Sequence, residues 1–480
     1  MDIAIDLSRL QTFFNLPTDQ MFWVFMGNFG WVIFGIIFLI GARDVWLNYI
    51  QAKWSKTHKS ILLAVDIPKG NEQSPKAVEN MFAYLGGAHG SQNFYEIWFE
   101  GQYQKSFSYE IVSLEGYTQF LIRTPIEFRN LIESSVYSQY PDAEISEVDD
   151  YTETVPQSWP DEEWDVFGAE FILQNPWHLP IKTYQEFEHQ MGPSETQFKD
   201  PMASLMDLCG SLRQGEQFWF QMIVTPTGFD WIKESEAAAD AILGRKKKYK
   251  PGLFIRLLEF IGNVSELLFP IWKDVEGDKK KEEKAKTMMD LSPLEKKKIE
   301  AIQIKASKMG FQTKIRMLYV AKQEVMNKAK VSNGFVGYIK QFIALDLNSF
   351  KPDLKKTMTK TVYFNKAPRL VTKKRKIFNN YINRSSYGRD PFLLNIEELA
   401  TLWHFPVEAN VKSPLIQKAP GRKADAPSSL PMAEEAPVLS EDIFRGFQVN
   451  HGGSHQSGQS FESEQTSGGQ SGPPPNLPIV

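Results

Sequence analysis

The residues of this chain that could do chemistry are lysines and arginines interleaved with aromatic residues in segment 355–389. From Leu354 to Arg389 there are eleven basic residues and no acidic one. Basic side chains neutralise phosphates and aromatic rings stack on bases, so this composition is suited to a nucleic acid. The densest run is the candidate anion-binding site: Lys373, Lys374, Arg375 and Lys376.

An acidic region earlier in the chain offers a different explanation for this charge. Between Asn130 and Ile181 there are twelve acidic residues and no lysine or arginine. Separated charges of this kind indicate that the two regions meet each other, or that the basic one meets an external anion. Nucleic acid, an acidic protein surface and no specific partner all remain open, because charge runs are usually solvated faces.

Motifs for catalysis are not found in the sequence. No glycine-rich loop ends in Lys-Ser/Thr, so there is no Walker A phosphate cradle. His451 and His455 are four apart but lie in a low-complexity stretch, and the only cysteine is Cys209. We therefore predict no catalytic, cofactor-binding or metal-binding residues, and no enzymatic activity.

A stretch without charge, Gln20 to Ala42, reads QMFWVFMGNFGWVIFGIIFLIGA. A helix of this length spans roughly 35 Å, which is enough to cross the hydrocarbon core of a bilayer. The charged residues before it are mostly acidic, with Asp2, Asp6 and Asp19 against Arg9, which disfavours a cleaved signal peptide. The sequence predicts one transmembrane helix at 20–42.

The charges beyond this stretch predict its orientation. Arg43, Lys53, Lys56 and Lys59 follow it, and only Asp44 opposes them. Because positive flanks favour the cytoplasmic side, we expect residues 1–19 outside and the main body in the cytoplasm. Segment 43–60 is expected to form a juxtamembrane helix whose Trp and Tyr residues suit the membrane interface.

The rest of the chain predicts an α+β fold. Residues 61–150 have the element order βαββαβ, which is typical of ferredoxin-like domains. An acidic linker, 151–166, leads to a second α+β domain of similar order at 167–353. A basic helical region (354–419) and a disordered tail (420–480), rich in Pro, Gly and Ser, complete the expected organisation.

The second domain contains an insertion with a strongly amphipathic helix at 253–272. A basic cluster precedes it: Arg245, Lys246, Lys247 and Lys248. Such a combination can lie on an anionic membrane surface. The alternative is a helix that docks on its own domain or on a neighbouring subunit of a homo-oligomer.

Several phrases resemble the membrane-proximal region of bacterial type IV secretion-like, conjugative DNA-transfer ATPases of the candidate-phylum type. They include LLAVDIPKGNEQSPKAVENMFAYLGG, VYSQYPDAEISEVDDY, DPMASLMDLCGSLRQGEQFWFQMIV and LLNIEELATLWHFP. The resemblance covers roughly residues 61–431. In those relatives a motor domain with a P-loop follows the proline-rich linker, whereas here the linker leads into the low-complexity tail.

The resemblance therefore implies a scaffold rather than a motor. We expect a non-catalytic, membrane-anchored component of a type IV secretion-like or conjugation-like assembly at the bacterial inner membrane. Its expected partners are the membrane, a separate P-loop ATPase and other proteins of the assembly. The alternative expectation is a membrane-tethered protein that binds nucleic acid through 355–389.

Overall fold

A computed structural model describes most of the chain. The described residues are 17–68, 71–190, 196–198, 200–245, 291–362, 365–385, 388–407 and 422–423. Between residues 18 and 33, side chains are described only for Gln20, Trp23 and Gly27. The predicted helix at 253–272, the cluster residues Lys246 to Lys248 and nearly all of the 420–480 tail lie outside this part.

The described part contains both helices and strands, so the α+β class is confirmed. The helices are α1 Thr18–Thr57, α2 Pro75–Leu85, α3 Arg129–Tyr137, α4 Met202–Gly210, α5 Asp230–Ile242, α6 Pro293–Ala306, α7 Lys328–Lys340, α8 Lys366–Ile382 and α9 Ile396–Leu402. The strands are β1 Ser60–Asp66, β2 Phe107–Leu114, β3 Tyr117–Pro125, β4 Glu144–Val148, β5 Trp164–Leu173, β6 Glu188–Gln190, β7 Thr196–Phe198, β8 Glu216–Pro226, β9 Gly310–Lys322, β10 Phe350–Pro352, β11 Phe392–Asn395 and β12 Arg422–Lys423.

One antiparallel sheet runs through both predicted α+β regions. Its order is β10-β5-β9-β8-β2-β3-β1-β4-β12, and β11 also pairs with β9. The regions join where β2 pairs with β8 over eight residues, from Phe107↔Val224 to Leu114↔Gln217. The core of each region is therefore continuous with the other, and the described residues belong to one compact unit.

The two halves of this sheet repeat one strand order. In the first half the order is β4-β1-β3-β2, and in the second it is β10-β5-β9-β8. When the four strands of each half are counted in chain order, the first strand lies between the third and the fourth, and the second strand lies on the other side of the third. The second strands of the two halves, β2 and β8, make the junction.

Several helices cover one face of the sheet, whereas α8 and part of segment 151–166 cover the other. Because side chains alternate along a strand, Tyr109 and Ile111 of β2 point to one face and Val112 points to the other. Helices α2, α3, α4, α7 and α9 supply the apolar residues of the first core. The second core is built with α8 and with Tyr151 and Trp159, so part of the acidic segment 151–166 is buried against the sheet.

Helix α1 is continuous over 40 residues and its last turns lie against the body. Trp46 Nε1 donates a hydrogen bond of 2.9 Å to the carbonyl oxygen of Trp98. Two turns later, the ring of Trp54 packs edge-on against Tyr103, with 4.9 Å between centroids. Within the described residues, no helix meets the length and hydropathy that a membrane crossing requires.

Candidate functional site: the basic helix and the charged face of the sheet

Helix α8 carries the predicted basic cluster and lies on the second face of the sheet. Its buried apolar stripe consists of Ile377, Phe378 and Tyr381. The ring of Phe378 packs edge-on against that of Trp159, with 5.3 Å between the ring centroids. The spacing of one and three residues places these side chains on one side of a helix. The basic side chains of α8 consequently point toward its edges and toward solvent.

Beneath the end of α8, a row of polar side chains crosses four neighbouring strands. Glu110 of β2 is in register with Gln221 of β8, which is in register with Arg316 of β9, which in turn faces Glu170 of β5. All four side chains are buried. Burying charges is costly unless they are paired. Arg316 and Glu170 face each other within the row, whereas Glu110 faces Gln221 and requires a cation from outside the sheet.

Arg384 supplies the partner for Glu110. The Nε atom of Arg384 donates to Oε1 of Glu110 at 3.0 Å, and its Nη2 donates to Oε2 of Glu110 at 3.2 Å and to Oδ1 of Asp150 at 3.1 Å. The side chain of Arg384 is 3% exposed. It lies two residues after Ile382, the last residue of α8, with a φ of 46°, a left-handed conformation that is common where helices end but uncommon for arginine.

These contacts shift the pKa values of the groups involved. Burial alone would raise the pKa of Glu110, but Arg384, with hydrogen bonds from Ser108 and Tyr151, brings it below its ordinary value. The same balance of burial against Arg384 lowers the pKa of Asp150. The two carboxylates raise the pKa of Arg384 despite its burial. The cluster is therefore held in its charged form.

A second buried ion pair lies at the other end of the row. Arg316 Nε donates to Oε1 of Glu170 at 2.8 Å, and Arg316 Nη1 donates to the carbonyl oxygen of Asn380 in α8 at 2.9 Å. The backbone N–H of Arg389 donates to Oε2 of Glu170, while its guanidinium pairs with Asp353. Burial lowers the pKa of Arg316 and Glu170 opposes that shift.

Three of the four predicted anion-binding residues have partners within the chain. Lys373 Nζ donates to the carbonyl oxygens of Lys355, Met358 and Lys360 at 3.1 to 3.2 Å. Lys374 pairs with Asp165, and Arg375 donates to the carbonyl oxygen of Trp159. The acidic and basic regions thus contact each other, as the separation of charge indicated.

Other predicted site residues lie apart from this cluster. Lys376 is exposed on α8, and the neighbouring lysines 355, 356, 360 and 366 are exposed as well. Arg245 lies just after α5 and pairs with Asp240 at 3.6 Å. An anion-binding role for the exposed lysines stays a prediction, and so does a membrane role for Arg245.

Glu110, Arg316 and Glu170 are site residues that were not predicted from the sequence. Each stands among large apolar residues in the interior of a strand, in FSYEIVSL, GFQTKIRMLYVAK and WDVFGAEFIL. A charge at an alternating position of such a strand signals a covered second face. The described residues contain no cluster of three or more His, Cys, Asp or Glu side chains arranged to hold a metal ion.

The chain was compared with known proteins. A family model whose description reads "Domain of unknown function (DUF8128)" matches residues 57–412. The match begins at the last residue of α1 and includes the whole junction between β2 and β8 as well as α8. No curated protein matches the chain.

Proposed function

The chain belongs to the family defined by this domain of unknown function, DUF8128, and we propose that it is a non-catalytic, membrane-anchored scaffold. In this proposal it docks a separate P-loop ATPase of a type IV secretion-like or conjugation-like assembly at the cytoplasmic face of the bacterial inner membrane. The observation that carries the proposal is the attachment of α1 to the body through Trp46 and Trp54. A helix attached in this way holds the body at a set height instead of on a flexible tether.

The described surface of α1 supports insertion into lipid. Phe34, Phe38 and Leu39 are 70%, 74% and 67% exposed on the helix. Exposed large apolar side chains in a contiguous group are unfavourable in water and favourable in a bilayer. Arg43, which follows them, suits a cytoplasmic flank.

The fold also supports a docking platform. We propose that each half of the sheet is a ferredoxin-like unit, on the basis of the shared strand order, and that the two units arose by duplication. The buried charges under α8 tie both units together, because Arg384 contacts β2 of the first and Arg316 lies on β9 of the second. Such a body would present a fixed surface to a partner.

Two measurements on the full chain in bacterial cells test this proposal. Alkaline carbonate washing of isolated membranes should leave the protein in the pellet, because an inserted helix resists extraction. Release by carbonate would contradict anchoring. Cross-linking in cells followed by purification should join the chain to an ATPase with a Walker A motif, and failure to detect one would contradict the coupling role.

A matched pair of variants sharpens the first measurement. Phe38→Lys places a charge within the proposed membrane span and should increase extraction by carbonate. Tyr117→Lys changes an exposed aromatic residue at the start of β3 and should leave extraction unchanged. Equal extraction of the two variants would count against a membrane span at 20–42.

The exposed lysines near α8 favour a second candidate function, binding of nucleic acid. Charge reversal of Lys355, Lys356 and Lys360 should weaken DNA binding at low salt and reduce its salt dependence. Reversal of Lys297, Lys298 and Lys233 provides a control of equal charge change elsewhere. If both triple variants bind DNA like the unchanged chain, this second function is excluded.

A further inference from the structure

We infer that a surface of the body itself sits in the headgroup layer of a phospholipid bilayer. This surface consists of the exposed aromatic residues of segment 94–99 together with Trp46 and Tyr49 of α1. The inference rests on the proposed membrane anchoring of α1. It adds a second point of contact, contributed by residues far from the anchor in sequence.

The aromatic residues of this surface are unusually exposed. Phe94, Tyr95 and Phe99 are 69%, 61% and 60% exposed, and Tyr49 is 64% exposed. Tyr and Trp, which have an apolar body and a polar tip, are enriched where a membrane meets water, and Phe contributes apolar area to surfaces that lie in the interface. The composition therefore fits a lipid interface as occupant.

Local structure presents these rings in an ordered way. A π-helical turn, Glu96–Glu100, spaces the rings so that Phe94 stacks on Trp98 and Tyr95 stacks on Phe99, with centroids 5.6 and 5.1 Å apart. Stacking restricts the rotamers of both pairs. The rings thus form one preorganised apolar surface.

The attachment to α1 sets the height of this surface. Trp46 Nε1 bonds to the carbonyl oxygen of Trp98, so both tryptophans lie at one level along the helix. Trp46 comes four residues after Ala42, which is a rise of roughly 6 Å. The headgroup layer on each side of the hydrocarbon core is about 5–8 Å thick, so Trp46 and segment 94–99 fall within it.

Gly101 allows this close approach. Its φ is +73°, and a Cβ atom there would lie 2.5 Å from the backbone carbon of Ile50 in α1. Beyond this contact, Trp54 meets Tyr103, and the ammonium group of Lys105 lies 5.1 Å from the centre of the Trp54 ring. Helix residues 46, 50 and 54 form one stripe that fixes the whole segment beside the anchor.

Basic side chains around the stripe match an anionic lipid surface. Lys53 is exposed on the helix roughly 16 Å beyond Ala42 by helix rise, which is within about 10 Å of the headgroup layer, and Lys56 and Lys59 are exposed farther along. Lysines within a Debye length of an anionic headgroup layer are attracted to it. The expected occupant is thus a bilayer that contains anionic phospholipid.

The same attachment predicts which end of the sheet faces the membrane. Helix α1 leads into β1, whose first residue, Ser60, pairs with Pro125 at the end of β3. Tyr117 lies at the opposite end of β3, roughly 27 Å away by strand rise. A label at position 117 therefore serves as a control that faces away from lipid.

The test uses the full chain with Cys209 replaced by serine, reconstituted into vesicles of phosphatidylcholine and phosphatidylglycerol. Single cysteines placed by Phe99→Cys, Phe38→Cys and Tyr117→Cys carry an environment-sensitive NBD label. A lipid-attached nitroxide at headgroup depth and aqueous iodide serve as opposing quenchers. Circular dichroism confirms that each labelled variant is folded, and Tyr95→Cys replaces Phe99→Cys if that variant is not.

We expect the label at 99 to be quenched by the shallow nitroxide and to be quenched several-fold less by iodide than the label at 117. If the label at 38 is lipid-quenched while the label at 99 behaves like that at 117, the inference is overturned and anchoring stands. If the label at 38 is also accessible to iodide, the membrane anchoring itself is wrong.

Discussion

The guanidinium group of Arg384 pairs with the carboxylate of Glu110, with 3.0 Å between Nε and Oε1, across 274 positions of sequence. Neither side chain is more than 3% exposed. Arg384 lies two residues beyond the end of α8 and Glu110 lies in the middle of β2, so the pair fixes the end of the basic helix to the centre of the sheet. Asp150 completes the contact with a second carboxylate.

Removal of this arginine should destabilise the protein strongly. We expect Arg384→Met to lower the free energy of unfolding by about 3–5 kcal/mol, because Glu110 is left as an unpaired buried charge. Denaturant unfolding of the purified chain in mild detergent measures this change. Lys376→Met removes an exposed cation of the same helix and should have little effect.

A double-mutant cycle separates the pair from its parts. The double variant Arg384→Met/Glu110→Gln no longer has the buried charge of Glu110. Its loss in free energy of unfolding should therefore be clearly smaller than the sum of the losses in the two single variants. Additive effects would show that the two residues act independently, contrary to the structure.

Stability should also depend on pH in the acidic range. The folded-state pKa values of Glu110 and Asp150 lie below their ordinary values, so the folded state binds fewer protons than the unfolded state in acid. The stabilisation from these carboxylates is complete above about pH 5 and declines as pH falls through the lowered pKa values. Unfolding midpoints between pH 7 and pH 3 should follow this decline.

The Arg384→Met variant serves as the comparison for this pH dependence. Without the arginine, burial is the main influence on Glu110 and raises its pKa. The free energy of unfolding should therefore fall less steeply as the pH is lowered. Parallel pH profiles for the two proteins would mean that Arg384 does not set these pKa values.

Gly101→Ala should release the end of α1 from the body. The left-handed backbone and the 2.5 Å approach to Ile50 leave no room for a Cβ atom, and the strain is worth about 1–3 kcal/mol. Hydrogen exchange should become faster in residues 46–57 and 94–103. Gly87→Ala provides the control, since a Cβ at Gly87 would meet nothing within 4 Å.

Cys209 should resist thiol reagents in the folded protein. It is buried in α4, and burial raises the pKa of its thiol to about 12, so almost no thiolate exists at pH 8. Maleimide labelling should therefore proceed only as the chain unfolds in denaturant. Rapid labelling of the folded chain would contradict the position of this thiol in the core.

Local patterns determined most elements of this protein. The alternating apolar residues of FSYEIVSL and the turn at Gly116 specify the β2–β3 hairpin, and Ser292 with Glu295 begins α6 by a capping box. These signals act between residues close in sequence. For the same reason the α+β class and most strand and helix positions could be predicted.

Tertiary structure alone decided which residues meet. The pairing of β2 with β8 joins the two halves into one sheet, and it depends on two edge strands that carry no local mark of their partner. The basic run was visible in the sequence, but its position over Asp165 and Trp159 followed from packing of the apolar stripe of α8. Opposite charges attract at any separation in sequence. Only the fold decides which acidic residue a given basic residue pairs with, because the fold brings that pair together away from water.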